Sequence, residues 1–514
     1  MRGAITLTGT RPSARGSWRL QGLVPGLLLA LAVGCSPVET GGEDGDGAGA
    51  DGGADGVNDP PTAIELSSSE VEEQAPPGTR VGHLTAVDAD ASDHHTFELV
   101  DDGGGLFAID GDALEVSPGA ILNYETGASL TVTVQATDRG GLGIEEELEI
   151  SILDLREVVN TLDSGEGSLR QTIADADPGE TILFETGLDS EIAVNSVLLL
   201  NKKVTIRGPL PPAEIVLDAL GNNRVFDVSP AATVTLQQLR IRGGKSTTAG
   251  AISNEGVLTV ERCIFEDNLA DSYGFGGAIQ SQNQLTARDS LFRRNRGFNK
   301  AAIAADGDGG TLIERCTFQD NATTGASGGA VAGGSLKIMN STFIGNTATG
   351  ADTDPAGGAV AIFYAGPSEI AFSTIVDNTA DALGGGIYCN VSSGAASLTI
   401  RGSIISSNAA ATSPDVSINT GCTVLADHAV IHRGAGSTVA NGEGGSLVGT
   451  PVTVGTLGDH AGLTPTVIPQ GGAVSIDLVP PASCVGPGGA PLATDQRGEA
   501  RPAGNACDAG SVEQ

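Results

Sequence analysis

The sequence predicts an all-β chain in two parts, a Greek-key β-sandwich followed by a right-handed parallel β-helix, and three observations carry that expectation. Between Asn58 and Asp154, apolar and polar residues alternate in short runs separated by Pro, Gly and Asp, the pattern of half-buried strands. Farther on a phrase recurs instead, Phe265-x-x-Asn268, Phe292-x-x-Asn295, Phe318-x-x-Asn321 and Phe343-x-x-Asn346, with weaker echoes ending at Asn378 and Asn408. The composition, with Gly 75 and aromatics at 3%, suits short strands and tight turns, so almost no helix is expected after the leader.

The first 35 residues place Arg2, Arg11, Arg15 and Arg19 before the apolar run LVPGLLLALAVG, which reads as an export signal. The following LAVGCS resembles the bacterial lipobox. That resemblance implies lipidation of Cys35, and Ser36 behind it favours the outer membrane or cell surface. Residues 36–57 are a Gly/Asp/Ala tether with nothing to bury, and lack the Glu that an EF-hand loop needs. The balance of 27 basic and 63 acidic residues, net −36, argues against nucleic acid and favours cations as partners.

Residues 58–155 carry the strand-like runs AIELSSSEV, RVGHLTAVDAD, LFAIDGDALEV, SLTVTVQATD and EEELEISILD. With VEEQAPPGTRVG, LNYE and ATDRGG in the same order and spacing, this stretch resembles a cadherin repeat. The resemblance implies calcium held by hard oxygens at both ends of the sandwich. Asp59, Asp88, Asp90 and Asp138 would form one site, and Glu73 and Glu125 would belong to the other. Two positions depart from the pattern: Asn123 stands before Tyr124 where Asp is usual, and ILDLREVVN keeps only Asp154 of the usual acidic linker. His94 and His95 read as a solvated loop pair, and His428 and His432 as equally ordinary.

In residues 156–455 the repeated Asn are 25 to 32 residues apart, and one such unit cannot bury its own apolar face. Stacking as coils about 4.8 Å apart solves this, and ten or eleven coils would make a rod of roughly 50 Å. Alignment makes columns legible: Phe in the core, small Cys263, Ser290, Cys316, Ser341, Ser373 and Ser403 two residues earlier, and apolar Val260, Ala287 and Ile313 before those. Glu261, Arg288 and Glu314 then stack as opposite outward charges, Gly-Gly-Ala turns a corner, and Asn fits a left-handed turn with its amide bonded to the next coil. Cys263 and Cys316, two coils apart, are too distant to bridge and are expected as buried thiols. Cys389 with Cys422, and Cys484 with Cys507, are the disulfide candidates.

The Phe-x-x-Asn and GGA phrases are similar to those of the polymorphic outer-membrane proteins, a family of adhesins. NTLDSGEGSLRQTIADADPGETILF near the start and DQRGEARPAGNACDAGSVE at the end resemble bacterial choice-of-anchor Q proteins, the tail residues being Asp495, Arg497, Gly498, Cys507, Asp508 and Gly510. Residues 456–514 are thus expected as a C-terminal cap, and a lipid rather than a barrel or sorting segment as the anchor. The implied function is a surface-displayed, lipid-anchored adhesion or scaffold protein whose cofactor is calcium. Its partner would be a polysaccharide, a surface protein or a second copy of itself. A β-helix polysaccharide lyase or glycoside hydrolase is the alternative, with Glu266, Asp267, Asp320 and Asp377 as carboxylate candidates. Those acids share slots with Arg293, Arg294 and Gly345, and no His or Tyr cluster interrupts the repeat, so a non-enzymatic role is expected. A purely structural envelope component is the third reading.

Overall fold

The computed structural model describes residues 58–514, apart from Ala91, Asp189, Ala301, Asp308, Ala326, 351–354 and 471–473. The leader, Cys35 and the tether lie outside the described residues. The chain is all-β, a cadherin-like sandwich leading into a right-handed parallel β-solenoid. No helix among the described residues is long and apolar enough to cross a membrane.

The sandwich packs two four-stranded sheets. One holds Ala63–Leu66, Arg80–Val87, Ala113–Val116 and Phe107–Asp110; the other holds Glu70–Glu72, Gly143–Leu153, Ser129–Thr137 and Thr96–Asp101. Every second residue points inward, so Val81, Phe107, Leu114, Val132, Val134 and Ile150 meet in one core. Thr96–Asp101 has no counterpart among the strand-like runs of the sequence; it is a short edge strand whose inward Phe97 and Leu99 are only half-buried.

The rod has three faces. Its first and second each contain an eleven-stranded parallel ladder and its third a nine-stranded one, with a shorter six-stranded ladder beside the second. Phe265, Phe292, Phe318 and Phe343 stack in register with ring centroids 4.9, 4.8 and 4.7 Å apart, so the ring spacing follows the strand spacing. The outward charges pair where expected, Arg288 Nε donating to Glu314 at 2.9 Å. A seven-residue helix, Leu169–Asp175, is capped by Ser168 and inserts Leu169 and Ile173 into the first coil's core.

Six successive coils turn twice through left-handed backbone. The first corner uses Arg262, Asp289, Arg315, Asn340, Phe372 and Gly402 at φ 46 to 53°. The second uses Asp267, Arg294, Asp320, Gly345, Asp377 and Ser407 at φ 53 to 69°. The expectation that Asn itself adopts this conformation is therefore corrected: the residue before it does. That geometry costs a non-glycine residue roughly 1–2 kcal/mol. Ladder bonds hold it, the corner amides of Arg262, Asp289 and Arg294 donating to the next coil at 3.0 to 3.1 Å. The Asn is freed for another task. The side-chain amides of Asn268, Asn295, Asn321, Asn346 and Asn378 each donate to the next Asn at 2.9 to 3.0 Å, and Asn408 donates to Asp415 at 2.9 Å. At the glycine corner, Gly276 has φ +72°, and a Cβ on Gly250 would lie 1.9 Å from the Gly277 carbonyl, so glycine is required at that position.

The described residues beyond Val452 lie along the side of the rod. Gln496 bonds Cys316, Thr317 and Thr342, and Gly510 donates to Gly402 at 2.7 Å. The tail motif organises this docking: fully buried Asp495 accepts from the amides of Arg497, Glu499 and Glu513. Buried Arg501 pairs with Glu513 at 2.8 Å and lies over Phe372. Disulfides join Cys389 to Cys422 and Cys484 to Cys507, whereas Cys263 and Cys316 are free and buried. Burial pushes both free thiols up to about 12.

Candidate cation sites at the ends of the sandwich

At the end away from the rod, three loops bring acids together. The Asp59 amide donates to Asp90 at 2.8 Å, and the Asp90 amide donates to Asp88 at 2.9 Å. Asp138 accepts from Asn58, the chain neighbour of Asp59, and from the Leu142 amide. Asp59, Asp88 and Asp90 are thus joined by hydrogen bonds, while Asp138 is joined to Asn58 and to none of the other three. The backbone bond from Asp90, with help from His95, holds the Asp88 carboxyl below its usual range. At Asp138 burial pushes upward, but bonds from Asn58 and Leu142 outweigh it and leave the group depressed.

Two members of this end were not legible in the sequence. His95 is largely buried and bonds Asp88 at 2.9 Å, which corrects its reading as solvated; His94 is exposed. Asp93 lies with Asp88 and His95 so that one ligand atom of each falls within 4.8 Å of the others. Asp90 Oδ1 and Asp93 Oδ2 are buried with no hydrogen-bond partner. A buried carboxylate oxygen left bare is costly unless a cation reaches it, and this set of hard oxygens suits calcium.

The opposite end meets the rod. Glu73 is fully buried and accepts from the amides of Leu155 and Tyr124. Glu125 and Glu157 join it, with one oxygen of each within 4.8 Å of the others. Glu157 belongs to the first strand of the rod, Arg156–Val158, and no sequence pattern singled it out. Asp154, kept from the linker pattern, is exposed. Burial raises Glu73, opposed by its two amide bonds. Burial and then the charges of Glu73, Glu125 and Glu185 push Glu157 up to about 7. Asn123 serves as a cap, its Oδ1 accepting from the amides of Glu125 and Thr126. Gln74 and Arg207 tie the two parts together, Gln74 donating to Glu157 and the Phe184 carbonyl, and Arg207 to Glu72 and the Glu73 carbonyl.

The rod's candidate carboxylates lie at or beside the second corner of their coils. Glu266 is buried among Arg240, Arg293 and Arg294, and Asp267 is paired with Arg294. Asp320 and Asp377 are corner residues in the same column. A groove of 710 Å³ runs between sandwich, rod and C-terminal segment, lined by Pro76, Pro211, Leu239, Arg262, Leu463 and Pro465 among others. Of its three acids, Glu214 and Asp289 are paired with Arg240 and Arg315, and Asp459 accepts from the Ala461 amide.

Comparison with known proteins agrees with this division. A family described as Cadherin domain matches residues 67–153, and one described as Right handed beta helix region matches residues 225–448. The chain is 30% identical over 175 residues to the probable pectate lyase C of Emericella nidulans, covering 33% of this chain and 39% of that protein. It is 28% identical over 199 residues to the protocadherin-like wing polarity protein stan of Drosophila melanogaster, covering 38% of this chain and 5% of that protein. Among solved structures, the protocadherin gamma B2 extracellular cadherin domains 1–5 share 28% identity over 19% of this chain and 20% of that one, with a TM-score of 0.17. The chain thus spans well under half the length of each of these relatives. It carries a cadherin-domain stretch and a right-handed β-helix stretch in sequence.

Proposed function

We propose that this chain is a surface-displayed adhesion or scaffold protein, held to an outer membrane through lipid on Cys35 and presented on a tether of residues 36–57. In this reading calcium stiffens the sandwich and the rod supplies the binding surface. The observation that carries it is the bare, buried Asp90 Oδ1, whose other oxygen accepts from Asp59 and whose amide donates to Asp88. Those acids, Asp138 and Asp93 would hold a calcium ion at the outer end, with His95 orienting Asp88. Glu73, Glu125 and Glu157 would hold one at the junction. When bound, the ion neutralises carboxylates that otherwise repel one another, which fixes the loops and the strand ends they leave.

The test is calorimetric titration of calcium with the full chain, together with melting in calcium and in EDTA. Saturable binding lost in an Asp90→Ala variant supports the reading; melting and binding indifferent to EDTA overturn it. The anchor is checked by fractionation, since a Cys35→Ser variant should leave the membrane fraction.

Similarity to a pectate lyase favours a second reading, calcium-assisted cleavage of an acidic polysaccharide. The pairing of Glu266, Asp267, Asp289 and Glu214 with arginines weighs against it. Incubation with polygalacturonate separates the two, because unsaturated products would appear only if the chain cleaves.

A further inference from the structure

The sequence gives no sign of an aromatic cluster in the rod, yet the fold builds one on the outside of the third face. Tyr273, Phe275 and Lys300 precede this face's strands Ile279–Ser281 and Ile303–Ala305, and Tyr364 follows its strand Val360–Ile362. They come from coils that span three ladder steps, about 14 Å. After the strand Val331–Gly333 of the preceding coil, the corresponding places hold Gly334 and Ser335, so the aromatic pair Phe363 and Tyr364 stands where the coil before has two small residues.

The cluster has both apolar faces and hydrogen-bonding groups. Tyr273 is 73% exposed, Tyr364 46% and Phe275 36%. Phe298 props Tyr273 edge-on at 4.8 Å. Between Phe275 and Tyr364 lies the Lys300 ammonium, 5.4 and 5.1 Å from the two ring centroids. It is ion-paired with Asp306, to which the Tyr364 hydroxyl also donates at 3.2 Å. Beneath, the outward Ala304, Ala332 and Ala361 are fully buried although they point away from the core.

Exposed rings beside the Tyr364 phenol and the Asp306 carboxylate match the two-sided chemistry of a sugar, whose C–H faces stack on rings and whose hydroxyls bond to those oxygens, while the Lys300 ammonium is buried and fixes both. Charge selects among sugars. Lys300 is already neutralised by Asp306, and the chain carries −36, so a polyuronate is repelled. We propose that this face is a binding subsite for an uncharged polysaccharide laid along the rod axis over Tyr273, Phe275 and Tyr364. The inference rests on the adhesion reading above and names its ligand class and place.

The experiment is affinity electrophoresis of the full chain through gels containing neutral β-glucan, xylan or galactan, or polygalacturonate, in calcium and in EDTA. Tyr273→Ala and Tyr364→Ala should each weaken retention by a neutral glycan about tenfold, with melting unchanged, and retention should persist in EDTA. Tyr273 is exposed enough for its removal to spare the fold. Retention untouched by either variant, retention by polygalacturonate alone, no retention at all, or loss of self-association in the variants would each overturn the subsite. Calcium binding at the sandwich is read separately by calorimetry, so failure of one proposal leaves the other standing.

Discussion

Asn321 in the rod and Asp90 in the sandwich are both polar and both buried, and they are satisfied in opposite ways. Asn321 accepts from Asn295, donates to Asn346 and to the Phe292 carbonyl, and has an equivalent in the coils on either side. Asp90 has one oxygen on the Asp59 amide and the other on nothing. A neutral amide can be donor and acceptor to its own copy, so a repeat saturates it indefinitely; carboxylates can only repel their copies and need a counter-ion. Repetition in this molecule marks scaffold, and its failure marks the places that await something else.

The comparison breaks first in the rod's interior. Phe318→Ala removes the ring between Phe292 and Phe343, and a loss of about 3–5 kcal/mol in denaturant unfolding is expected. Asn321→Ala leaves the Asn295 side-chain amide and the Phe292 carbonyl without their partner, each worth about 1–3 kcal/mol. Its effect should be the same in calcium and in EDTA. The sandwich should behave the other way. Moving from calcium at a hundred times its dissociation constant into EDTA should remove about 2.7 kcal/mol from the sandwich transition, with the transition of the rod unmoved in calorimetry.

Smaller effects sharpen the contrast. Glu157→Gln should raise the melting temperature in EDTA, by relieving repulsion from Glu73 and Glu125, and lower it in calcium. The free thiols give a pH test within the rod. Both are raised in the folded chain, so their contribution is full below the unfolded thiol value near 8.5 and is lost as pH climbs toward 12. At pH 8 neither should react with a thiol reagent until denaturant is added, as peptide mapping would record. Smallest of all, Cys316→Ser should change stability by no more than about 0.5 kcal/mol. Ser341, Ser373 and Ser403 already occupy that column, and each accepts the previous coil's amide.

What the sequence made legible follows the same division. The Phe stack, the small-residue column, the glycine corner and the outward Glu–Arg pairing are periodic, so alignment of the coils reveals them without a structure. The Asn column was legible but its conformation was not, because the left-handed residue beside it varies from Asp to Arg to Gly. The sandwich acids could be found from the order of the cadherin-like phrases, while Asp93 and His95, which pair with them, carry no spacing of their own. Glu157 lies 84 residues from Glu73 by number and in the other part of the chain, so only folding brings them together. Lys300 and Tyr364 escaped notice for a related reason: Lys300 stands in a column with Gly276, Gly328 and Gly357, and Tyr364 stands where the coil before has Ser335.

Asp415 gives the amide ladder a direction and an end. Every link from Asn268 onward donates toward the next coil, so six side-chain dipoles lie head to tail with their positive end at Asn408. There the acceptor is a buried carboxylate, which also takes the Arg433 amide at 2.6 Å. The ladder is in effect a small macrodipole with its counter-charge built in, the arrangement an acidic residue makes at a helix N-terminus. A carboxylate cannot donate onward, so another Asn-bearing coil could not be added beyond this point without replacing it. The length of the ladder is therefore set by the chemistry of one side chain.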